Sequence, residues 1–497
     1  MTASDNLAPA TDDHGAPGGH QNLDGSALRR VLAPRSIAVV GAGRRRGGAG
    51  HETLRALRDY GFHGRLHAVN RSGRPVCGVP AHRAVIDLPG PVDLLVVAVA
   101  ADDVTTVLTG AGRLGVRGAV LLGTGPRGGD PRGERQRREI LRAARQQHIR
   151  LLGPGCLGIL NTDPRVRLNA SLSPAKPPSG GLALAVRSGA VGIALLADAT
   201  RDHCGVSSLV SLGDEIDITG TDLLRYWLDD PATRAVALSP EAFGDPGGFA
   251  RAACALGRRK PVLAIAGAPD ATQERLLAEA GVIRTASLRE TLDTARILVD
   301  QPLPDGDRMA IVGNAGGLTA LAAGSARTYG FDVVPLSGPI RAQLPASASP
   351  DGLGNPVDLG IDALPARIAD ATEIVANSGE ADILLLVLVG TRANVLAANM
   401  SALAPVLDDH PHLTIAAIVT GGTADVHQFG RRDVPVFREP EQAVRALAHA
   451  RDYAAWRRKP LTRHADPGDR ERAVIRRTMT TWPGLVGSGA IPHSRSR

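Results

Sequence analysis

Cysteine, lysine and aromatic residues are scarce in this 497-residue chain. Its four cysteines, Cys77, Cys156, Cys204 and Cys254, lie far apart with no Cys-x-x-Cys spacing. That pattern indicates neither a zinc site nor a disulfide framework. Lysine occurs only at Lys176, Lys260 and Lys459, so the formal charge of +7 rests on arginine. The arginines are scattered along the chain and aromatics make up 3% of it, too few for base-stacking platforms, which argues against nucleic acid as a partner. No run approaches the roughly 20 uncharged apolar residues of a membrane span, which argues against a membrane. The N-terminus lacks the basic, apolar and small-residue progression of a secretory signal, so a cytoplasmic location is expected.

What remains is ordinary globular material, 43% hydrophobic and 22% charged, long enough for about three domains at about 150 residues each. Residues 1–28, rich in Gly, Asp, His and Pro without apolar periodicity, read as a disordered leader. From Ser36, short apolar runs at 37–40, 66–69, 94–99 and 119–122 alternate with helical patterns at 52–60, 104–108 and 134–147. Such alternation predicts a parallel sheet wound with helices. It restarts at 182–186, 208–212, 235–238 and 261–266, and again at 309–312, 332–335, 383–389, 414–420 and 434–437. The expected fold class is therefore α/β, with units at 29–150, 151–303 and 304–458 and an Arg-rich tail at 459–497. Boundaries between units are also expected near the Pro-rich stretch 173–181 and at 301–307.

The first apolar run leads straight into Gly41-Ala42-Gly43-Arg44-Arg45-Arg46-Gly47-Gly48-Ala49-Gly50, with a helix expected from about His51. Glycines let backbone N–H groups approach an anion, a helix N-terminus favours negative charge, and guanidinium groups bind phosphate directly. The spacing departs from G-x-G-x-x-G, and the acidic residue that holds a free ribose diol is missing after the second run. Asn70 and Arg71 stand there instead, a pair better suited to a phosphorylated ribose. Taken alone, the loop also fits a glycine-rich turn that only reverses the chain.

Several strings occur in one order: Ser-Ile-Ala-Val-Val-Gly-Ala-Gly from Ser36, Val69-Asn70, Val-Asp-Leu-Leu-Val-Val-Ala-Val-Ala-Ala from Val92, and Leu-Gly-Pro-Gly-Cys-Leu-Gly from Leu152. Val-Arg-Ser-Gly-Ala-Val-Gly from Val186, Ser211-Leu212-Gly213-Asp214, Asp229-Asp230-Pro231, Asn314-Ala315-Gly316-Gly317 and Asn355-Pro356-Val357-Asp358 follow. Together, over about residues 30–455, they resemble the NDP-forming acyl-CoA synthetases, the superfamily of succinyl-CoA synthetase and the ADP-forming acetyl-CoA synthetases. The resemblance implies a CoA-binding Rossmann-like domain followed by two flavodoxin-like domains. It implies that Gly41, Arg44, Gly47, Gly48 and Gly50 hold the phosphates of coenzyme A or an acyl-CoA. Asn70 and Arg71 would face its nucleotide end, and Val97, Val99 and Ala100 would line its adenine or pantetheine. It further implies that Ser188, Gly189 and Ala190 steady a phosphoryl group and that Glu241 orients a catalytic histidine. Without the resemblance, Ser188 reads as a helix N-cap and Glu241 as a surface carboxylate.

The chain also departs from that pattern. The family's phosphohistidine loop would fall in residues 267–280, and this interval is short and contains no histidine. A phosphoryl relay needs a nitrogen nucleophile. Gly155 stands where the family has asparagine in its Pro-Asn-Cys string, and Asp214 where it has the asparagine of Ser-Leu-Gly-Asn; a carboxylate there is expected to repel a phosphate or acyl oxygen. No ATP-grasp domain is expected within these residues. The two readings are a CoA-binding sensor or regulatory subunit with a lost relay, and an α-type subunit of an acid-thiol ligase. In the second, ATP and ADP enter only through a separate ATP-grasp β-type subunit. A homodimer or hetero-oligomer is implied in either case. A nicotinamide-dependent oxidoreductase fits poorly, since neither an acidic ribose ligand nor a Tyr-x-x-x-Lys pattern is present.

Overall fold

The computed structural model describes residues 25–123, 131–239, 246–265, 271–345, 354–392, 394–421, 429 and 431–460. Most of the expected leader, the tail from 461 and Glu241 lie outside the described residues. The first unit runs α1 (Gly25–Leu32), β1 (Ser36–Val40), α2 (Ala49–Asp59), β2 (Arg65–Val69), β3 (Ala81–His82), β4 (Leu94–Val97), α3 (Ala101–Ala111), β5 (Gly118–Leu121), α4 (Pro131–Gln146) and β6 (Arg150–Leu152). Its sheet has the order β3-β2-β1-β4-β5-β6, with every pair parallel. Strands buried on both faces read as continuous apolar runs, and β1 and β4 are buried throughout. Chain order reverses between β1 and β4, which leaves a crevice at their carboxyl ends.

One expectation is corrected at the N-terminus. Helix α1 begins at Gly25, inside the stretch read as a disordered leader. Leu28, Val31 and Leu32 repeat at helical spacing and are all buried in the core that the first two sheets share. Those three residues, next to a polar leader, are too short a run to show periodicity in sequence.

The second unit comprises β7 (Gly158–Asn161), β8 (Leu168–Ser171), β9 (Ser179–Val186), α5 (Gly189–Arg201), β10 (Val206–Ser211), α6 (Gly220–Asp229), β11 (Ala235–Leu238), α7 (Pro246–Gly257), β12 (Val262–Ile265), α8 (Ala271–Glu279), β13 (Val282–Thr285) and α9 (Leu288–Asp300). The sheet order is β13-β12-β11-β9-β10-β7-β8. Five strands are parallel, while β7 and β8 form an antiparallel edge. The Pro-rich stretch 173–181 is therefore no linker between units: it joins β8 to β9 within one sheet. Proline has no N–H for a ladder, and Pro174, Pro177 and Pro178 all precede the first residue of β9.

The third unit is β14 (Met309–Gly313), α10 (Gly316–Thr328), α11 (Gly338–Gln343), β15 (Val357–Asp358), α12 (Pro365–Asn377), β16 (Ile383–Val389), α13 (Leu396–Asp409), β17 (Thr414–Thr420), β18 (Val436–Phe437) and α14 (Pro440–Arg458). Its parallel sheet has the order β15-β14-β16-β17-β18. The strand expected at 332–335 is absent. Asp332 makes one isolated bridge to Arg308, Val334 is exposed and Pro335 lacks a donor, so the edge position goes to Val357–Asp358. Helices α9 and α14 pack along each other and close a core common to the second and third sheets, containing Leu195, Leu298, Ala323 and Leu447.

Candidate functional site

The turn after β1 stands at the first sheet's switch point. Gly41 has φ +85, and a Cβ on it would come within 2.4 Å of the Ala98 carbonyl. A Cβ on Gly50 would lie 2.4 Å from the Gly41 carbonyl oxygen. These two glycines let α2 start against the end of β1 and let both press on the chain leaving β4. The outward side of the turn is different: a side chain on Gly43 or Gly47 would meet nothing within 4 Å. Arg44, Arg45 and Arg46, between those two glycines in the chain, are all exposed. Gly48 caps α2, and Glu52 N–H is bonded to the Gly48 carbonyl at 3.0 Å, so the N–H groups of Ala49, Gly50 and His51 point out along the helix axis. An open glycine turn with helix N–H groups and three exposed arginines has the chemistry to favour an anion.

One amide of the cradle is already committed. Gly47 N–H donates to Glu52 Oε1 at 2.8 Å, and this bond together with Arg55 holds the Glu52 carboxyl below its usual range. Asn70 is committed too. Its Nδ2 donates to the carbonyls of Ala42 (3.2 Å) and Arg74 (3.0 Å), and its Oδ1 accepts from Ser72 N–H and Oγ–H. Asn70 thus ties the loop after β2 to the phosphate turn, with its amide turned to the chain itself. Arg71 is the exposed group of the expected pair, 95% exposed and ion-paired at 3.5 Å with Asp103 at the start of α3. Val97 is 1% exposed inside the core, so its side chain faces no crevice. Val99 is half-buried and Ala100, the N-cap of α3, is exposed at the rim.

The carboxyl edges of the first two sheets meet at residues 153–157. Gly155 N–H donates to the Gly123 carbonyl past β5 at 2.8 Å, and Gly153 N–H to the Leu212 carbonyl past β10 at 3.2 Å. On the second sheet, Ser188 caps α5 without a side-chain bond to the helix, which leaves its hydroxyl and the first N–H groups of Gly189 and Ala190 at the helix mouth. The N–H of Arg187 donates to Ser239 Oγ at 3.3 Å, and its Nε to the Gly213 carbonyl at 3.1 Å. Cys156, in contrast, is buried; its thiol donates to the Leu121 carbonyl at 3.3 Å, and burial pushes it up to about 12.

Two acidic residues complete this junction. Asp214 was expected to repel an anion; instead Arg137 Nη2 of α4 lies 2.7 Å from its Oδ2 and neutralises it. Glu215 follows with φ +53, its Oε1 accepting the Gly220 N–H at 3.1 Å. Burial pushes the Glu215 carboxyl up to about 7, against the pull of that N–H and of Arg187. Sequence reasoning missed Arg137 and Glu215. Arg137 is one of six arginines in α4, and only its position over Asp214 distinguishes it. Among the described residues no group of three or more His, Cys, Asp or Glu side chains is placed to hold a metal ion. No helix among them is long and apolar enough to cross a membrane.

A parallel α/β unit with an open glycine turn at its switch point is thus joined to a second, flavodoxin-like sheet. A CoA binding domain matches residues 35–162, and a succinyl-CoA ligase-like flavodoxin domain matches residues 179–268. The α subunit of acetate–CoA ligase (ADP-forming) II of Pyrococcus furiosus is 31% identical over 66% of this chain and 74% of its own length. The α subunit of isoform I from the same organism is 26% identical over 87% of this chain and 99% of its own. The acetate–CoA ligase (ADP-forming) of Methanocaldococcus jannaschii is 29% identical, and this chain spans 64% of its length. The apo dinucleotide-forming acetyl-coenzyme A synthetase 1 of Ca. Korarchaeum cryptofilum superposes with a TM-score of 0.78 at 25% identity, over 91% of this chain and 99% of that one. The chain belongs to the NDP-forming acyl-CoA synthetase superfamily, with the ADP-forming acetate–CoA ligases among its relatives.

Proposed function

We propose that this chain is a CoA- or acyl-CoA-binding sensor or regulatory subunit that has lost the superfamily's phosphohistidine relay. The observation that carries the reading is the pairing of a kept cradle with a missing nucleophile: the turn from Gly41 to Gly50 is open and cationic, while the interval 267–280 has no histidine. In this reading Arg44 and the N–H groups at the start of α2 hold the pyrophosphate, Arg71 reaches the phosphorylated ribose, and Val99 and Ala100 border the pantetheine. Ser188, Gly189 and Ala190 keep an anion-favouring helix mouth, but no imidazole in the interval is available to carry a phosphoryl group to it. Glu241 then has no histidine to orient.

A second reading has its own support. This chain covers 99% of a relative named as an α subunit, which favours an α-type subunit working with an ATP-grasp β-type subunit that brings ATP and ADP. Labelling separates the two. After incubation with γ-labelled ATP and a candidate ATP-grasp partner, the proposed function predicts no base-stable, acid-labile label on this chain. A labelled histidine peptide overturns it in favour of the catalytic α subunit.

A further inference from the structure

Beside the cradle lies a second arrangement of side chains. Cys77 Sγ is 3.7 Å from His51 Nε2, and His51 Nδ1 is 3.0 Å from the Gly43 carbonyl oxygen. A carbonyl oxygen only accepts, so Nδ1 carries the ring proton and Nε2 turns a lone pair to the Cys77 thiol. Nucleophile, base and a group that orients the base are thus in line. Cys77 is also the accessible cysteine: the other three are buried and Cys77 is half-buried. Charged groups stand around the pair. Arg58 Nη1 donates to the Cys77 carbonyl at 2.6 Å, and Arg55 on the same helix lies within electrostatic range of the thiol. Glu52 is within range of His51, and Asp59 is paired with Arg58 at 3.2 Å.

We propose that Cys77 is a thiol-modification site, activated by His51, that exchanges with low-molecular-weight disulfides. His51 Nε2 takes the thiol proton, and the Cys77 thiolate attacks one sulfur of R–S–S–R. The Cys77–S–S–R bond forms, the old S–S bond breaks, and the departing R–S⁻ takes the proton from His51. The disulfide supplies the oxidation, so no other oxidant is needed. The added group then stands beside His51, whose other ring nitrogen contacts the Gly43 carbonyl of the turn, so modification and CoA binding hinder one another. That last consequence rests on the function proposed above; the reactivity of the thiol does not.

The test uses the full chain, with iodoacetamide as the kinetic probe and oxidised glutathione as the disulfide, read by peptide mass spectrometry. At a pH near 6.5, Cys77 in the folded protein should alkylate about tenfold faster than the same residue in the urea-unfolded chain, because only the fold places His51 Nε2 where it can take the thiol proton. His51→Gln should remove most of that advantage, and the glutathione adduct should map to Cys77 and vanish in Cys77→Ser. A folded-state rate no higher than the unfolded one overturns the proposal, and that comparison needs no variant that must itself fold. Saturating desulfo-CoA, which has no thiol to consume the reagent, should slow the labelling. A reactive Cys77 that the analogue leaves unprotected keeps the thiol site and removes the coupling between modification and CoA binding.

Discussion

Arg137 Nη2 lies 2.7 Å from Asp214 Oδ2, so a guanidinium from the CoA-binding unit neutralises the carboxylate that follows β10 of the next unit. Both side chains are partly buried, 22% and 34% exposed, and removing one partner leaves the other charge poorly solvated. Arg137→Gln should lower the unfolding free energy by about 1 kcal/mol in urea titrations, and adding Asp214→Asn to it should recover most of the loss. Equal losses in both variants would show that the pair does not couple the units.

Glu215 sets a pH dependence of definite sign. Its folded-state carboxyl stands at about 7 against an ordinary 4.5, so the protonated form is the one the fold prefers. Its contribution is fully present below about pH 4.5 and is lost as the pH rises through about 7. Glu215→Gln should therefore stabilise the protein above neutral pH and change little at pH 4. The check is the difference in thermal midpoint between variant and parent across that range; a constant difference would contradict the assignment.

The two faces of the phosphate turn should respond differently to a methyl group. Gly50→Ala places a carbon 2.4 Å from the Gly41 carbonyl oxygen, which should cost about 1–3 kcal/mol and weaken CoA binding by moving α2 off β1. Gly43→Ala meets open space and should leave stability within about 0.5 kcal/mol. Denaturant midpoints of the two variants decide this.

Much of the architecture was legible in sequence because parallel strands buried on both faces announce themselves as apolar runs, as at Val39 and Leu95. What stayed hidden was short or non-local. Helix α1 rests on Leu28, Val31 and Leu32, and β15 has two residues fixed by pairing with Val312 and Gly313. At the site, the glycine turn and the exposed Arg71 were readable, since both follow a strand at a set distance. Asn70 was read as facing the ligand because a sequence does not show that its amide is taken by Ala42 and Arg74. The pairs Arg137–Asp214 and His51–Cys77 join residues 77 and 26 positions apart, and neither leaves a local signature.

Calorimetric titration of the full chain with coenzyme A, with NADH as the comparison ligand, tests most directly whether the turn after β1 is a CoA cradle. CoA should bind with a dissociation constant on the order of micromolar, about −8 kcal/mol, and Arg71→Glu, a change at a 95% exposed side chain, should abolish the heat while leaving the unfolding midpoint unchanged. Binding of NADH with no heat from CoA would contradict the account.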